Sequence, residues 1–461
     1  MRVSDQPLPT VSGPRPPQGW QTNLYVTLGR LPLAGYLWDD YEASWDDPLG
    51  RYEWDDLDSY PYDRFDVTCQ WSGLDITVGT NNPDGAMEAA EANLTLDNRD
   101  GQFSQYDSFG RLVGYGPGVA LDIWAEADGE PWWLFRGRVV RWQERPNRTV
   151  ELQAFDRFSD LNEDPGGEWI PGTRGDTPAV RLGHILDMWG HPAAAHPRSF
   201  ASGRVTLHAK ASKESALVEC QKVAESDGGI FGMDVDGTTF YWDRNWRGGR
   251  ADQEEVRAFS DNVCQGATVV WDPVILTDDD LIINIANLTN LPEPVPEVPE
   301  GEEEPEEPPP ISVTARNPSS VDRHGAQTTT DRDEDQWLTL QEGEELAQHI
   351  VNTLSEGYLR IEEFTLYLHT GLWREGIDMR VGDLINFVRD QHGLDAPARL
   401  SLLSLVCSIN HSITPNAWLT TFGTTRATGD LVTVQWDAGE WLTWDADPTY
   451  YWDGVPPQPV P

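Results

Sequence analysis

The chain of 461 residues has little cysteine, little base and no long apolar run. Its four cysteines, Cys69, Cys220, Cys264 and Cys407, lie far apart and form no CxxC pair, which argues against a disulfide framework and against a zinc ribbon. They read as reduced thiols of a protein made in a cytoplasm. No stretch approaches the roughly 18 consecutive apolar residues of a membrane span. The opening MRVSDQPLPTVSGPRPPQGW has no apolar core of the kind a secretory leader carries, so no leader is expected. Against 77 Asp+Glu stand only 33 Lys+Arg, a formal charge of −44. Such an acidic chain does not hold a phosphate backbone by counterion release, and anionic membranes repel it. Neither specific nucleic-acid binding nor stable membrane binding is therefore expected.

What is present argues for folded domains. The 38% apolar and 10% aromatic content is too high for a disordered chain. At about 150 residues per domain, the length suits two to four domains. The acid is unevenly placed. Asp39 to Asp66 carries 11 Asp/Glu and two Arg, Glu293 to Glu307 carries eight Glu and no base, and Asp430 to Asp453 carries six acids and no base. The middle segment, LPEPVPEVPEGEEEPEEPPP, is low complexity. Proline removes donors and glutamates repel, so 291–310 is expected to be an extended, mobile loop.

The two outer segments share a motif. Trp38, Trp45 and Trp54 are each followed by Asp-Asp at spacings of 7 and 9, and Trp436, Trp444 and Trp452 are each followed by Asp at spacings of 8. The repeat is far shorter than the roughly 40 residues of a propeller blade. A large apolar ring in an acidic segment either covers its own domain or docks on another chain. These six tryptophans are the candidate partner-docking residues, with the neighbouring Asp at the rim.

Periodicity places the remaining elements. From Phe65 to Leu161, segments such as DVTCQW, ANLTLDN, VALDIWAE, WWLFRGRVVRW and TVELQAFD alternate apolar and polar residues between Gly, Asn and Asp, which predicts an antiparallel barrel or sandwich. A helix is predicted after Thr177-Pro178, with Leu182, Ile185, Leu186 and Trp189 on one face. A second runs from about Ser212 with Ala216, Cys220, Val223 and Ala224 inward and Gly228 as its stop. A hairpin turning at Asp236-Gly237 follows. Past the acidic loop, Leu346, Ala347, Ile350, Val351 and Leu354 mark another helix, ended by Gly357. Strands IEEFTLYLH, DLINFV, LLSLVCSIN and WLTTFGT close the folded part.

No catalytic constellation emerges. No GxSxG, HExxH, Walker or dinucleotide fingerprint occurs. His191 and His196 flank a proline at a spacing poor for one metal. Met233 to Gly237 begins like a calcium loop, but Asn245 and Trp246 occupy its distal end, so it reads as a hairpin. Arg174-Gly175-Asp176 is an adhesion tripeptide by letters only, in a loop before a helix cap. With 77 acids a carboxylate pair for glycoside hydrolysis could always be nominated, and the sequence singles out none. The expectation is a protein without enzymatic activity, cofactor or bound metal.

Six segments, in order, carry a resemblance. They are ANLTLDNRDGQFSQYDS (Ala92 to Ser108), GYGPGVALDIWA with LFRGRVVRWQ and VELQAFDRFSDL, RLGHILDMWGHP (Arg181 to Pro192), SALVECQKVAESDGGIFGMDVDGTTFYWDRN (Ser215 to Asn245), SSVDRHG (Ser319 to Gly325), and MRVGDLINF with ITPNAWLTTFGTTRA. From about Phe65 to Ala427 this pattern resembles the minor tail proteins of siphophages and prophages of actinobacteria, which are similar in architecture to tail-tip and baseplate hub proteins. The acidic loop and the Trp-Asp arms depart from that pattern.

The resemblance implies a mainly β fold with a smaller α/β part: two tail-tube-like β-barrels and an inserted α/β domain. On this reading 1–64 is an N-terminal arm, 65–165 the first barrel, 166–260 the α/β domain, 261–427 the second barrel with a helix and the acidic loop, and 428–461 a C-terminal arm. It also implies a homotrimer at the virion tail tip, joining a six-fold tube to a three-fold tip. Its partners would be a tail-tube or distal tail protein above, tip or fibre proteins below and a tape-measure protein in the lumen. Genome DNA would pass through the channel, and an acidic wall repels phosphate. High charge also serves solubility. The same part in a headless, phage-derived particle fits equally. A competing class is a secreted all-β protein that binds or cleaves carbohydrate, with its 21 tryptophans stacking on sugar rings. A tail protein fused to a cell-wall hydrolase is a third, although no segment is left over to form the enzyme.

Overall fold

The structure, a computed structural model, describes residues 23–28, 65–66, 71–80, 86–105, 115–127, 130–163, 166–191, 193, 197–209, 211–245, 257–261, 267–277, 282–290, 310–329, 332–357, 359–368, 373–391, 398–427 and 435–436. The first β-rich part contains β1 (Asn23–Leu28), β2 (Phe65–Asp66), β3 (Trp71–Gly79), β4 (Glu88–Asp97), β5 (Ala120–Ala127), β6 (Glu130–Glu144) and β7 (Thr149–Asp156). They pair in the order β3-β4-β7-β6-β5-β1-β2, a curled half-barrel. Alternation drives it. β7 reads half-buried, buried along its whole length, and Leu74, Ile76 and Val78 of β3 meet Ala92, Leu94 and Leu96 of β4 in the core. The stretch expected as an arm over 1–64 contains β1, which runs beside β5 from Asn23↔Glu126 to Leu28↔Leu121. The first sheet therefore begins inside it.

The middle contains α1 (Pro178–Met188), β8 (Arg198–Phe200), α2 (Ala216–Ser226), β9 (Ile230–Met233) and β10 (Thr239–Trp242). Strands β8, β10 and β9 form a small sheet, and Gly237, at φ 87°, turns the β9–β10 hairpin where Asp-Gly predicts it. The chain then supplies β11 (Arg257–Ser260), β12 (Thr268–Val269) and β13 (Trp271–Thr277) to the second β-rich part. It returns to the α/β part with β14 (Ile285–Asn290), β15 (Ser312–Arg316), α3 (Pro318–His324), β16 (Arg332–Asp335) and α4 (Leu340–Leu354). One apolar core, including Leu182, Ile185, Cys220, Val223, Leu288, Trp337, Leu346 and Ile350, joins these two separate stretches.

The last elements are β17 (Leu359–Tyr367), α5 (Trp373–Ile377), β18 (Leu384–Gln391), β19 (Ala398–Thr414), β20 (Ala417–Arg426) and β21 (Gln435–Trp436). Val270 alone separates β12 from β13, and its N–H donates to Ser260 O at 2.8 Å. The pairings β12-β11-β18-β19-β20-β17-β13 therefore close on themselves as a barrel. Strand β19 serves both β parts. Its Ala398–Leu405 edge pairs β18, and Ser408–Ile413 pairs β3.

Helix boundaries differ from the sequence reading for local reasons. α2 starts at Ala216 with Ser215 as its N-cap, because the Ser212 backbone is bonded in both directions to Trp169 and its hydroxyl serves Glu219. Trp189, read as part of the α1 face, is its C-cap; its ring lies 4.5 Å from that of Trp169, tilted by 52°, and both are partly buried against the α/β core. α4 ends at Leu354, before Gly357; it starts with a capping box in which Thr339 and Glu342 satisfy each other's backbone.

The acidic loop lies outside the described residues, but its anchors do not. Asn290 N–H donates to Ile311 O at 3.0 Å, and Ile311 N–H to Asn290 Oδ1 at 2.9 Å. The β14–β15 ladder is thus closed at the point where the loop leaves and returns. Replacing 292–309 by a short turn is expected to raise stability by about 1 kcal/mol, through the smaller loop-closure entropy. Denaturant titration checks this, and a large loss would mean that the loop packs.

Asp156 ends β7 and caps the short helical turn Arg157–Asn162, whose Phe158 and Leu161 enter the α/β core. Its carboxylate accepts from Phe158 N–H at 3.1 Å. Burial pushes this acid up to about 7, against the backbone N–H groups that favour the anion. A raised folded-state value means the contribution is fully present below the ordinary carboxylate range and is lost as pH rises through about 7. Asp156→Asn is therefore expected to flatten the fall in stability between pH about 4 and 7. Melting the two proteins across that range checks it, and parallel profiles would contradict it.

Candidate partner-docking surfaces

Of the six candidate tryptophans, Trp38, Trp45, Trp54, Trp444 and Trp452 lie outside the described residues. The backbone of Trp436 is described: in β21 it pairs with Ala398, at the start of β19.

The groups nominated for chemistry are taken up by the fold. Burial pushes the Asp176 carboxyl up, but bonds from Thr173 N–H (2.7 Å), Thr173 Oγ1 (2.8 Å) and Arg181 Nε (3.0 Å) outweigh it and hold it below its ordinary value. The third residue of the adhesion tripeptide thus faces inward. His191 is buried and its carbonyl accepts from Arg198 Nη2, while His196 lies outside the described residues. Burial pushes His411 down to about 3, so it is a neutral core histidine, with Nδ1 2.9 Å from Thr420 Oγ1 and accepting from Trp418 Nε1 at 3.4 Å. Among the described residues no group of three His, Cys, Asp or Glu is placed to hold a metal, and no helix is long and apolar enough to cross a membrane.

Two aromatic features stand apart from the cores. On the second barrel Trp271 is 58% exposed and meets Tyr367 edge-on at 5.6 Å. On the half-barrel a ladder crosses three strands. Tyr25 of β1 is paired with Trp124 of β5, which is paired with Trp133 of β6. Tyr25 stacks on Trp124 at 5.4 Å, Trp124 meets Trp133 at 5.7 Å, and the Arg136 guanidinium lies 4.6 Å over the Trp133 ring. The strand pleat puts Leu24, Val26, Leu121 and Ile123 into the barrel core, and Tyr25, Asp122 and Trp124 on the opposite face. That face is nonetheless covered: Trp124 is 2% and Trp133 3% exposed. Sequence reasoning missed this surface. Its signal was in DIWAE, where a tryptophan sits between Asp122 and Glu126 on what alternation makes the polar face.

No family model matches the chain, and no curated protein matches it. Solved structures do. The tail protein from Neisseria meningitidis MC58 superposes with a TM-score of 0.53 at 12% identity, over 88% of this chain and 97% of that one. The 43 kDa tail protein of prophage MuSo2 from Shewanella oneidensis gives 0.48 at 14% identity, over 79% and 94%. Prophage tail protein gp18 from Listeria monocytogenes gives 0.45 at 7%, over 88% and 95%. The chain shares the fold of the Neisseria tail protein over 88% of its length. This agrees with the resemblance read from its motifs, and with a mainly β architecture carrying a smaller α/β part.

Proposed function

We propose that this chain is a structural, non-enzymatic component of a phage or phage-derived tail, acting as a trimeric hub at the tail tip. The observation that carries the reading is the coupling of a half-barrel to a closed barrel through the single strand β19, within a fold similar to a tail protein's over 88% of the chain. Two β units per chain and three chains make six units around an axis, which is how a three-fold assembly meets a six-fold tube. The strongly acidic chain would line a channel that lets DNA pass without holding it. Tail-tube or distal tail proteins on one side, tip or fibre proteins on the other and a tape-measure protein inside are the partners of this reading. Trp38, Trp45, Trp54, Trp436, Trp444 and Trp452 are its docking anchors on neighbouring chains. Mass photometry and a reconstruction of the assembled particle test it. Three copies in one ring at the tail tip are expected; a stable lone monomer, or six copies in one ring, would overturn it.

A further inference from the structure

Among the tryptophans whose side chains are described, Trp271 is the one that is exposed, at 58%. A single apolar side chain at a surface needs no explanation by itself. This one is set apart by the backbone that carries it. Asp272 follows at φ 46°, and among the described residues only Asp272 and Arg148 have a positive φ without being glycine. Arg148 lies in the turn between β6 and β7, where left-handed backbone is common, whereas Asp272 lies inside β13. Against β17, Trp271 pairs with Thr365 and Val274 with Glu363, so Asp272 and Pro273 together stand opposite the single Phe364. That is a bulge, a place where a proline costs no ladder bond, and bulges re-aim the side chains beside them. Alternation puts Val270 in the barrel core and Trp271 on the outer wall.

The surroundings of the ring are polar. Thr365, opposite Trp271, pairs in turn with Thr421 of β20, so both threonines share the outer wall. Their hydroxyl oxygens are 2.8 Å apart, and one mutual bond leaves both with capacity for others. Glu363, two residues from Thr365 on the same face of β17, is exposed, and so is Asp272. Tyr367 meets the indole edge-on, at 5.6 Å and 75°. It fixes the tilt of a ring that stays more than half open.

We propose that Trp271 is the platform of a binding site for a neutral saccharide. A sugar ring carries C–H groups on its faces and hydroxyls around its edge. Laid on the indole, it buries one face against the aromatic ring. Its edge then meets the threonine hydroxyls one and two strands away, at a strand spacing of about 4.8 Å. The Glu363 and Asp272 carboxylates are acceptors for sugar hydroxyls at the rim. Because the indole is held in place beforehand, little side-chain freedom is lost on binding. Charge argues against other occupants. The acids at the rim and the formal −44 of the chain repel a second copy, a nucleic acid and an anionic membrane. A protein interface also has a wide apolar centre inside its polar rim, whereas here hydrogen-bonding groups begin one strand from the ring. The inference goes beyond the hub reading: it needs only the second barrel and holds for any number of copies.

The test uses the full chain and a panel of neutral di- to tetrasaccharides of glucose, galactose, mannose and N-acetylglucosamine. Saturation-transfer NMR finds the binders and calorimetry titrates them. At least one is expected to bind, with the strongest transfer to C–H protons on one face of a ring. Trp271→Ala is expected to weaken that binding about tenfold or more, and Trp271→Leu to do the same, while Trp271→Phe retains most of it, because a ring rather than bulk is required. The side chain is exposed, so all three variants should melt with the parent protein. A uronic-acid counterpart of the best binder is expected to bind at least about tenfold more weakly at low salt, and Glu363→Gln to narrow that gap. Binding by no member of the panel overturns the proposal, as does binding that Trp271→Ala leaves unchanged. Fewer copies per assembly in Trp271→Ala, by mass photometry, would make this face a contact between chains and overturns it too.

Discussion

Replacing Arg181 by Ala is expected to cost about 3–5 kcal/mol of stability, the range for breaking a buried ion pair from one side. Arg181 lies in α1 and is fully buried. Its Nε donates to Asp176 at 3.0 Å, its Nη2 to Thr173 O at 2.7 Å and to His208 O at 3.1 Å, and its Nη1 reaches Gln336 Oε1 at 3.5 Å. Gln336 in turn donates from its side-chain amide to Glu219 of α2 at 3.2 Å, and its backbone N–H donates to Ser226 Oγ at 2.8 Å. One guanidinium thus holds together the loop before α1, the 207–208 segment, α2 and the entry to α4, four pieces far apart in sequence. Without it, Asp176 is left as a carboxylate only 9% exposed, and the buried His208 carbonyl and the Thr173 carbonyl lose a donor. The variant Arg181→Met with Asp176→Asn removes both charges and should recover much of the loss, because the penalty is chiefly the orphaned charge. Chemical denaturation of the single and double variants checks this. A cost for Arg181→Ala below about 1 kcal/mol would mean the network holds without its central cation.

The same residue illustrates what a sequence makes legible. Leu182, Ile185 and Leu186 announce α1 through their spacing, and the buried faces of α2 and α4 are equally plain from Cys220 and Val223 and from Leu346 and Ile350. Local signals also fix the Asp-Gly hairpin. Arg181 carries no such sign: on a helical wheel it is a charged residue beside the apolar stripe, and only the fold brings Thr173, His208 and Gln336 to it. The second barrel was legible as strands but not as a circuit. Its closure depends on β11 pairing in parallel with the nearby β12 and with β18, the latter more than a hundred residues away in sequence. The α/β part was placed as one stretch, whereas its core also draws on Leu288, Val313 and Trp337 from beyond the β11–β13 excursion. Periodicity reports which face of an element is buried and is silent on which distant element buries it.

The aromatic surface was half legible. The Trp-Asp repeats stood out by composition, yet the face that is covered on the half-barrel had to be read from burial. Trp124 and Trp133 sit within segments whose neighbours Leu121, Ile123 and Phe135 already explain a strand. A second covered face appears in sequence only as one ring too many on the polar side.

Gly79→Ala is expected to destabilise the protein by about 2–4 kcal/mol, through left-handed backbone strain and a clash with a rigid carbonyl. Gly79 ends β3 at φ 96°, and a Cβ there would stand 2.2 Å from Cys407 O and 3.0 Å from Ser408 Cα. This is the place where β19 changes partner. Its register against β20 shifts between Val406 and Ser408, so Cys407 is the extra residue of a bulge, and Thr80 N–H donates to the Cys407 carbonyl at 3.0 Å. The clash is with backbone, so relief requires β3 to draw away from β19. Gly73→Ala supplies the control, since it lies in the same strand with no atom within 4 Å of a Cβ. It should be neutral or slightly stabilising, through the lower entropy of the unfolded chain. Site-resolved thiol labelling adds a structural readout. Cys407 is 6% and Cys220 0% exposed in the intact fold. If β19 is the strut between the half-barrel and the barrel, Gly79→Ala should make Cys407 reactive while Cys220, inside the α/β core, stays protected. Equal protection of both thiols, with unchanged stability, would mean that the close approach at Gly79 does not hold the two β parts together.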